Sequence, residues 1–494
     1  MSILLLFPIL LPIGAIILLL FFRGKINAQR IIGLFGSTLQ LIFSIYILFV
    51  VQTRGIQVIQ IGNWPAPYGI TLVVDLFSAI MLILSGLVGL MISIYAIPTL
   101  EKRLQSQNFF PLLQALLLGV NGAFLTGDVF NLYVWFEVMI LSSFVLLTLG
   151  GKSKQLDGAI KYVSMNLISS MLFLAGIGLL YGKTGTLNMA DLALKIRESD
   201  SSILINSSAM LFFLAFSIKS ALFPFFFWLP ASYHTPPIAV TALFAGLLTK
   251  VGIYAMIRFY TLFFVQNPEF WHTLLLIIAA TTMVVGVLTA VSQYDVRKIL
   301  SFHIVSQVGY MVMGLGLFSV LGLAGAIFYM MHHIIAKTNM FLISGVIHKI
   351  KGTYQLKAIG GLYKNYPFLT LLFLIASMGL AGVPPLSGFV GKLLLIMAGF
   401  ETEHYLVTTI AISVGLITLF SMIKIWNEAF WKKQPGDRIA PKVDIPFGMM
   451  APVVTMALGT VIIGIAAEPF IQLATEAALQ LLNPEDYINA VLKP

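Results

Sequence analysis

Apolar runs of about twenty residues follow one another from Ser2 to Ala467, each long enough as a helix to cross a hydrocarbon core ~30 Å thick. A bilayer offers no partner to a bare backbone amide, so such runs must become helices packed against one another. The charge content agrees: 10% of the 494 residues are charged and 59% are hydrophobic, whereas a soluble domain carries roughly 25% charged residues. The expected fold is an all-α polytopic membrane protein, and a soluble enzyme is excluded. With no cysteine, disulfides, thiolate metal sites, iron–sulfur clusters and a cysteine nucleophile drop out. The net charge of +10 is scattered through short loops rather than gathered on one face, which argues against nucleic acid as a partner.

Polar breaks divide the chain into fourteen expected spans, at 2 to 22, 31 to 51, 72 to 97, 109 to 127, 129 to 149, 159 to 181, 203 to 229, 237 to 260, 273 to 293, 299 to 317, 323 to 347, 368 to 398, 405 to 430 and 447 to 467. The first run lacks a basic start and is followed by Arg23, Lys25 and Arg30, the pattern of an uncleaved span beginning outside. Alternate loops then hold Lys102/Arg103, Lys152/Lys154, Arg297/Lys298, Lys349/Lys351/Lys357/Lys364 and Lys432/Lys433/Arg438/Lys442. That side is the expected cytoplasmic one, which puts both termini outside. The opposite loops carry little beyond Arg54, Glu269, Glu401 and Glu403, except the 183 to 200 loop, where Lys183, Lys195 and Arg197 are balanced by Asp191, Glu198 and Asp200. No loop is long enough for a soluble domain, so one membrane domain is expected over 1–494. Gly151-Lys152-Ser153 resembles the end of a phosphate loop, but position 146 is Leu and no strand precedes it, so it is rejected as one.

A charge at mid-bilayer costs about 3 kcal/mol or more, so an ionisable residue centred in a span is a functional candidate. Glu137 is the only charge between Asp128 and Lys152, Lys219 the only one between Asp200 and Lys250, and Lys392 the only one between Lys364 and Glu401. Lys250 is itself mid-span. His333 and Lys337 are four apart and share one helix face. The bland alternative for Glu137, Lys219, Lys250 and Lys392 is a buried ion pair that fixes packing, and His332 is as readily a packing histidine as a relay member. Lys161, Arg258 and Lys424 are expected to snorkel or pair at the surface, Lys424 with Glu428. Asp75 and Asp128 are expected at interfaces. His303, His348 and His404 have no acidic partner at ligand spacing, so no metal site is expected.

Two proline clusters, Lys219-Ser220-Ala221-Leu222-Phe223-Pro224 and Gly379 through Pro384-Pro385-Leu386-Ser387-Gly388, should break their helices inside the membrane. Broken helices in corresponding halves mark transport sites. The interval from Lys219 to Lys250 nearly recurs between Lys392 and Lys424, which points to two five-helix repeats, 109–260 and 273–430, inverted because the number of helices is odd. Flanking helices at 2–97 and 447–467 and a tail at 468–494, read as an interfacial helix, complete the expected organisation.

These residues resemble a known family, the proton-translocating antiporter-like subunits shared by respiratory complex I, membrane-bound hydrogenases and Mrp-type antiporters. The likeness rests on Trp135-Phe136-Glu137, Leu229-Pro230-Ala231-Ser232-Tyr233-His234 through Lys250, Gln293-Tyr294-Asp295-Val296-Arg297-Lys298, His333 to Lys337, and Pro384-Pro385-Leu386-Ser387-Gly388-Phe389 to Lys392. Stretches 121–133, 185–190 and Gly62-Asn63-Trp64-Pro65-Ala66-Pro67 are most similar to D-type subunits of the Mrp (Mnh) branch. The resemblance implies a proton path with Glu137 and Lys219 as its central pair, Lys250 linking, His333 and Lys337 continuing, and Lys392 as the terminal exchanger. Some relatives in complex I place a glutamate at the last position, so Lys392 speaks against that subgroup. The resemblance further implies no cofactor, a bacterial plasma membrane, partner subunits of the A, B, C, E, F and G types, and exchange of cytoplasmic Na+ for external H+ in pH homeostasis. The alternative reading is a proton-pumping subunit of a respiratory NADH:quinone oxidoreductase or hydrogenase, and a third is a scaffold with a vestigial ion path.

Overall fold

The computed structural model describes residues 2–198, 203–435 and 443–493. Asp200, Arg438 and Lys442, used above in weighing loop charge, lie outside the described residues. The first part of the chain forms α1 (Phe7–Phe21), α2 (Ile26–Arg54), a hairpin of β1 (Gln57–Gln60) and β2 (Thr71–Val74), then α3 (Leu76–Thr99), α4 (Lys102–Ser106) and α5 (Phe109–Leu125). It continues through α6 (Val129–Thr148), α7 (Ser153–Thr184), α8 (Met189–Glu198), α9 (Ile203–Lys219), α10 (Trp228–Tyr233) and α11 (Ile238–Leu262). Next come α12 (Pro268–Ser292), α13 (Val296–Gly316), α14 (Val320–Lys351), α15 (Leu362–Asn365), α16 (Pro367–Ala381), α17 (Ser387–Glu401) and α18 (Tyr405–Ile425). The last helices are α19 (Phe447–Ile465), α20 (Ala467–Leu482) and α21 (Pro484–Leu492). Among the described residues eleven helices are long and apolar enough to cross a membrane, and three further apolar helices, α5, α9 and α16, are shorter.

Side-chain caps set several of these starts. Asp75 accepts from Ser78 N at 2.8 Å, Asp128 from Asn131 N at 2.7 Å and Asp295 from Arg297 N at 2.9 Å, each satisfying an amide that the helix leaves without a partner. At the other end, Gly185 and Gly352 take the left-handed conformation that closes α7 and α14. The expected span at 72 to 97 differs at its start: residues 71–74 pair as a strand with 57–60, and the helix begins only behind the Asp75 cap.

The helices are not equivalent. α11 is buried along almost its whole length, and α13 and α14 nearly so, while α1, α2, α7 and α12 turn large apolar side chains outward. The candidate residues on α11 and α14 therefore lie on the most enclosed elements. Both proline clusters interrupt their helices as expected, between α9 and α10 and between α16 and α17. The tail packs on the rest of the chain. Its α20 packs an Ala474, Ala477, Ala478 and Leu481 face on α14, and α21 rests on α8, joined by an Arg197–Glu485 ion pair at 2.5 Å.

One pairing occurs twice. Val129 N donates to Leu187 O and Met189 N to Gly127 O, and 167 positions later Val296 N donates to Tyr354 O and Leu356 N to Tyr294 O. The same offset carries α7, residues 153–184, onto α14, residues 320–351, and the start of α11 at Ile238 onto the start of α18 at Tyr405.

Candidate functional site

Lys219 is the last residue of α9, and its ammonium lies over the Phe136 ring of α6, 4.6 Å from the centroid. Its Nζ is buried and has no hydrogen-bond partner. Glu137 follows Phe136 on the same helix, half-buried, with Oε1 likewise unpartnered. No ion pair joins the two among the described residues, although Lys219 feels the Glu137 charge. An aromatic ring, not a carboxylate, is thus the near neighbour of this ammonium, an arrangement worth about 2 kcal/mol when desolvated.

From there the groups continue through three close helix contacts, each made at a glycine. Gly252 on α11 abuts the Ser220 hydroxyl in the α9 break so closely that no Cβ fits, and Lys250 lies two residues away. The hydroxyls of Ser217, Ser220 and Thr249 lie buried at this crossing without partners. Lys250 itself donates to Ala245 O at 2.5 Å. Gly246, one turn before it, abuts the Thr338 hydroxyl of α14 in the same way, which places Lys250 and Lys337 at one crossing. Both nitrogens of His333 and the Nζ of Lys337 are fully buried and unpartnered.

The third contact lies at the second break. A Cβ on Gly388 would come within 2.8 Å of His332 Nε2, and His332 Nδ1 shares a 2.7 Å hydrogen bond with Ser387 Oγ, the first residue of α17. Lys392, one turn on, reaches back over the break and donates to Ala381 O at 2.9 Å and Leu380 O at 3.1 Å, the end carbonyls of α16. Its ammonium also lies 5.0 Å from the centroid of the Tyr310 ring. Lys337 is within electrostatic reach of both Lys250 and Lys392, and no carboxylate pairs with any of the three among the described residues. The alternative of buried ion pairs is thus not what these lysines form. The chemistry available to the row is proton transfer among like-charged neighbours: a proton on one member repels a proton on the next.

Other residues differ from expectation. Arg258 does not snorkel: its side chain is 6% exposed and forms an ion pair at 2.6 Å with that of Asp75, 3% exposed, at the head of α3. Ser78 and Tyr254 bond to this pair, and the Tyr487 ring covers the guanidinium. Lys424 does not pair with Glu428, which bonds Lys432 at 2.6 Å. Lys424 instead caps α12 through Val291 O and Gln293 O, at 2.8 and 2.7 Å. Lys161 pairs with Asp157 at 2.7 Å on an exposed face, as expected of a surface lysine. His303, set aside in the sequence for want of ligand spacing, is fully buried, bonds Ser421 Oγ at 2.8 Å, and lies within electrostatic reach of Lys337 and Lys392. The spacing of His303, Gln307 and Tyr310 along one face of α13 is the signal that could have found it.

Residues 126–418 match the family described as NADH:quinone oxidoreductase/Mrp antiporter, TM. The chain is 48% identical over 494 residues to the D subunit of a Na(+)/H(+) antiporter of Alkalihalophilus pseudofirmus, covering 100% of both chains. Among solved structures it is similar to a chain of the Mrp complex from Dietzia sp. DQ12-45-1b, with a TM-score of 0.92 at 31% identity and 99% of each chain covered. It is also similar to a chain of the membrane-bound sulfane sulfur reductase, an archaeal respiratory membrane complex, with a TM-score of 0.93 at 26% identity and 100% of each chain covered.

Proposed function

The chain belongs to the NADH:quinone oxidoreductase/Mrp antiporter membrane family, in the branch of D-type Na+/H+ antiporter subunits, and from this we propose that it carries protons sideways through the membrane along Glu137, Lys219, Lys250, His333, Lys337 and Lys392. The observation that carries the reading is the row itself: buried titratable groups on α9, α11, α14 and α17, linked by glycine contacts and, among the described residues, without carboxylate partners. Like charges in such a row cannot all hold protons at once, so a proton entering at Glu137 and Lys219 displaces one toward Lys392. Coupled to partner subunits of the A, B, C, E, F and G types in a bacterial plasma membrane, this movement exchanges cytoplasmic Na+ for external H+. His332 and His303 flank the row, His332 tied to the α17 start through Ser387 and His303 to α18 through Ser421.

The eleven long apolar helices, with α5, the broken α9–α10 and the broken α16–α17, make fourteen spans in this reading, with both termini outside. The pairing that recurs after 167 positions supports two inverted repeats, since α13 is the fifth span after α6, an odd offset. The respiratory alternative has weaker support: the sulfane sulfur reductase chain is 26% identical, against 48% for the antiporter chain.

The deciding experiment is sodium-dependent dissipation of a pH gradient in inverted vesicles containing the full assembly. Glu137→Ala and Lys219→Ala, at matched expression and assembly, should each abolish exchange. Exchange retained in both would remove the chain from the obligatory proton path and favour the scaffold reading.

A further inference from the structure

The proton row leaves one part of the bundle unused. Helices α1, α2, α3 and α5 hold no Asp, Glu, Lys, Arg or His between Arg30 and Arg54, between Asp75 and Glu101, or between Arg103 and Asp128. Yet α2 buries a polar stripe, Gln29, Ser37, Gln40 and Ser44, whose spacing of three to four residues, continued through Gly33, keeps it on one face. That face meets polar groups of its neighbours. Ser37 Oγ lies 3.0 Å from Ser93 Oγ on α3, and Gln114 Nε2 on α5 donates to Ser37 Oγ at 3.0 Å and to Gly33 O at 3.3 Å. Beyond them Asn121 accepts from Ser85 at 2.8 Å and donates to Pro8 O of α1 at 2.9 Å. From Gln29 to Ser44 the stripe runs about 22 Å along the helix axis.

Such residues often serve only to hold helices together. Here that account is incomplete, because both amide atoms of Gln29 and of Gln40 and the Oε1 of Gln114 are buried without any partner. A buried amide oxygen without a hydrogen bond is costly in apolar surroundings, so the Oε1 atoms of Gln40 and Gln114 are placed to meet something the helices do not supply. Neutral amide, hydroxyl and carbonyl oxygens without a titratable group cannot relay protons by being protonated. They are ligands of the kind that replace the hydration shell of a hard cation.

We propose that the file around Ser37, Gln40, Ser93 and Gln114 is a binding site for an unhydrated alkali cation, Na+ in this assembly, separate from the proton row. The proposal rests on the antiport reading above and adds to it a place for sodium within this chain. The test uses the intact assembly in proteoliposomes and measures the Na+ concentration giving half-maximal exchange. Gln40→Leu and Gln114→Leu should each raise it about tenfold while leaving the pH profile at saturating sodium unchanged. An unchanged half-saturating concentration in both assembled variants overturns the proposal and leaves a packing role. Should the leucine variants fail to assemble, Gln40→Asn and Ser93→Ala take their place, read as the ratio of Na+ to Li+ exchange. A shifted ratio supports the site and an unchanged ratio overturns it. Retention of exchange in Glu137→Ala would instead strike at the proton path, so the two failures are distinguishable.

Discussion

Lys392 of α17 caps the carbonyl end of α16, the helix that precedes it across the proline break, its Nζ 2.9 Å from Ala381 O and 3.1 Å from Leu380 O. One ammonium thereby serves two ends: it satisfies carbonyls that the break leaves without partners, and in the proposed proton path it stands at the far end. The two roles separate by substitution. Arg keeps a permanent charge and the donors for the cap but does not release a proton, so Lys392→Arg should retain the assembly's thermal stability and lose exchange at least about tenfold. Lys392→Met should lose both, since each buried carbonyl left unpaired costs about 1–3 kcal/mol. Vesicle exchange and the thermal midpoint of the purified assembly, measured together, check this; full exchange in the Arg variant would refute a proton-carrying Lys392.

The ring beneath Lys219 gives a second prediction. Phe136 holds the ammonium at 4.6 Å from its centroid and has no polar atom of its own. Phe136→Leu keeps the apolar volume but removes the π face, worth about 2 kcal/mol in a desolvated site. Exchange should fall several-fold at normal assembly, and Phe136→Trp should retain most of it. Equal rates in the Leu variant and wild type would show that the ring merely fills space.

What the sequence made legible follows from range. The two helix breaks were visible because proline acts on its own backbone: α9 ends at Lys219 and α16 at Ala381, each a few residues before its prolines. The burial of Lys219, Lys250, His333, Lys337 and Lys392 was legible because each lies in an apolar run that packs inside the bundle. Partners were not visible where they come from afar. Arg258 looked like a snorkelling residue because its partner Asp75 lies at the head of another helix, and only the fold brings them to 2.6 Å. Lys424 looked paired with Glu428 because a regular helix would align them. The chain instead opens into a π-helical turn over Trp426–Trp431, Glu428 takes Lys432, and Lys424 finds the end of α12. His303 escaped because ligand spacing, the pattern sought, does not register a histidine whose partner is a serine on α18.

The contact at Gly388 is tight enough to predict from sterics. A methyl there would press on Gly379 O and lie 2.8 Å from His332 Nε2, so the histidine must move and give up Ser387. Gly388→Ala should cost about 1–3 kcal/mol as an overpacked site and reduce exchange as well. Ser387→Ala removes only one hydrogen bond, about 1 kcal/mol, and should be the milder change in thermal melts. The reverse order would mean that the α14–α17 contact is looser than its geometry.

The Asp75–Arg258 pair ties the start of α3 to the end of α11, the helix that carries Lys250, and Tyr487 of the last helix covers it. Both side chains are almost wholly buried, so removing one leaves the other as a bare charge. Asp75→Asn and Arg258→Met should therefore each destabilise the assembly, the latter by about 3–5 kcal/mol, whereas removing both charges, in Asp75→Asn with Arg258→Met, should cost considerably less. Asp75→Asn keeps an acceptor for the Ser78 amide, so the α3 cap survives in the double variant. Thermal unfolding of the two single variants and the double gives the coupling directly. Costs that simply add would mean that the two charges do not depend on each other, and the pair would then be no clamp between α3 and α11.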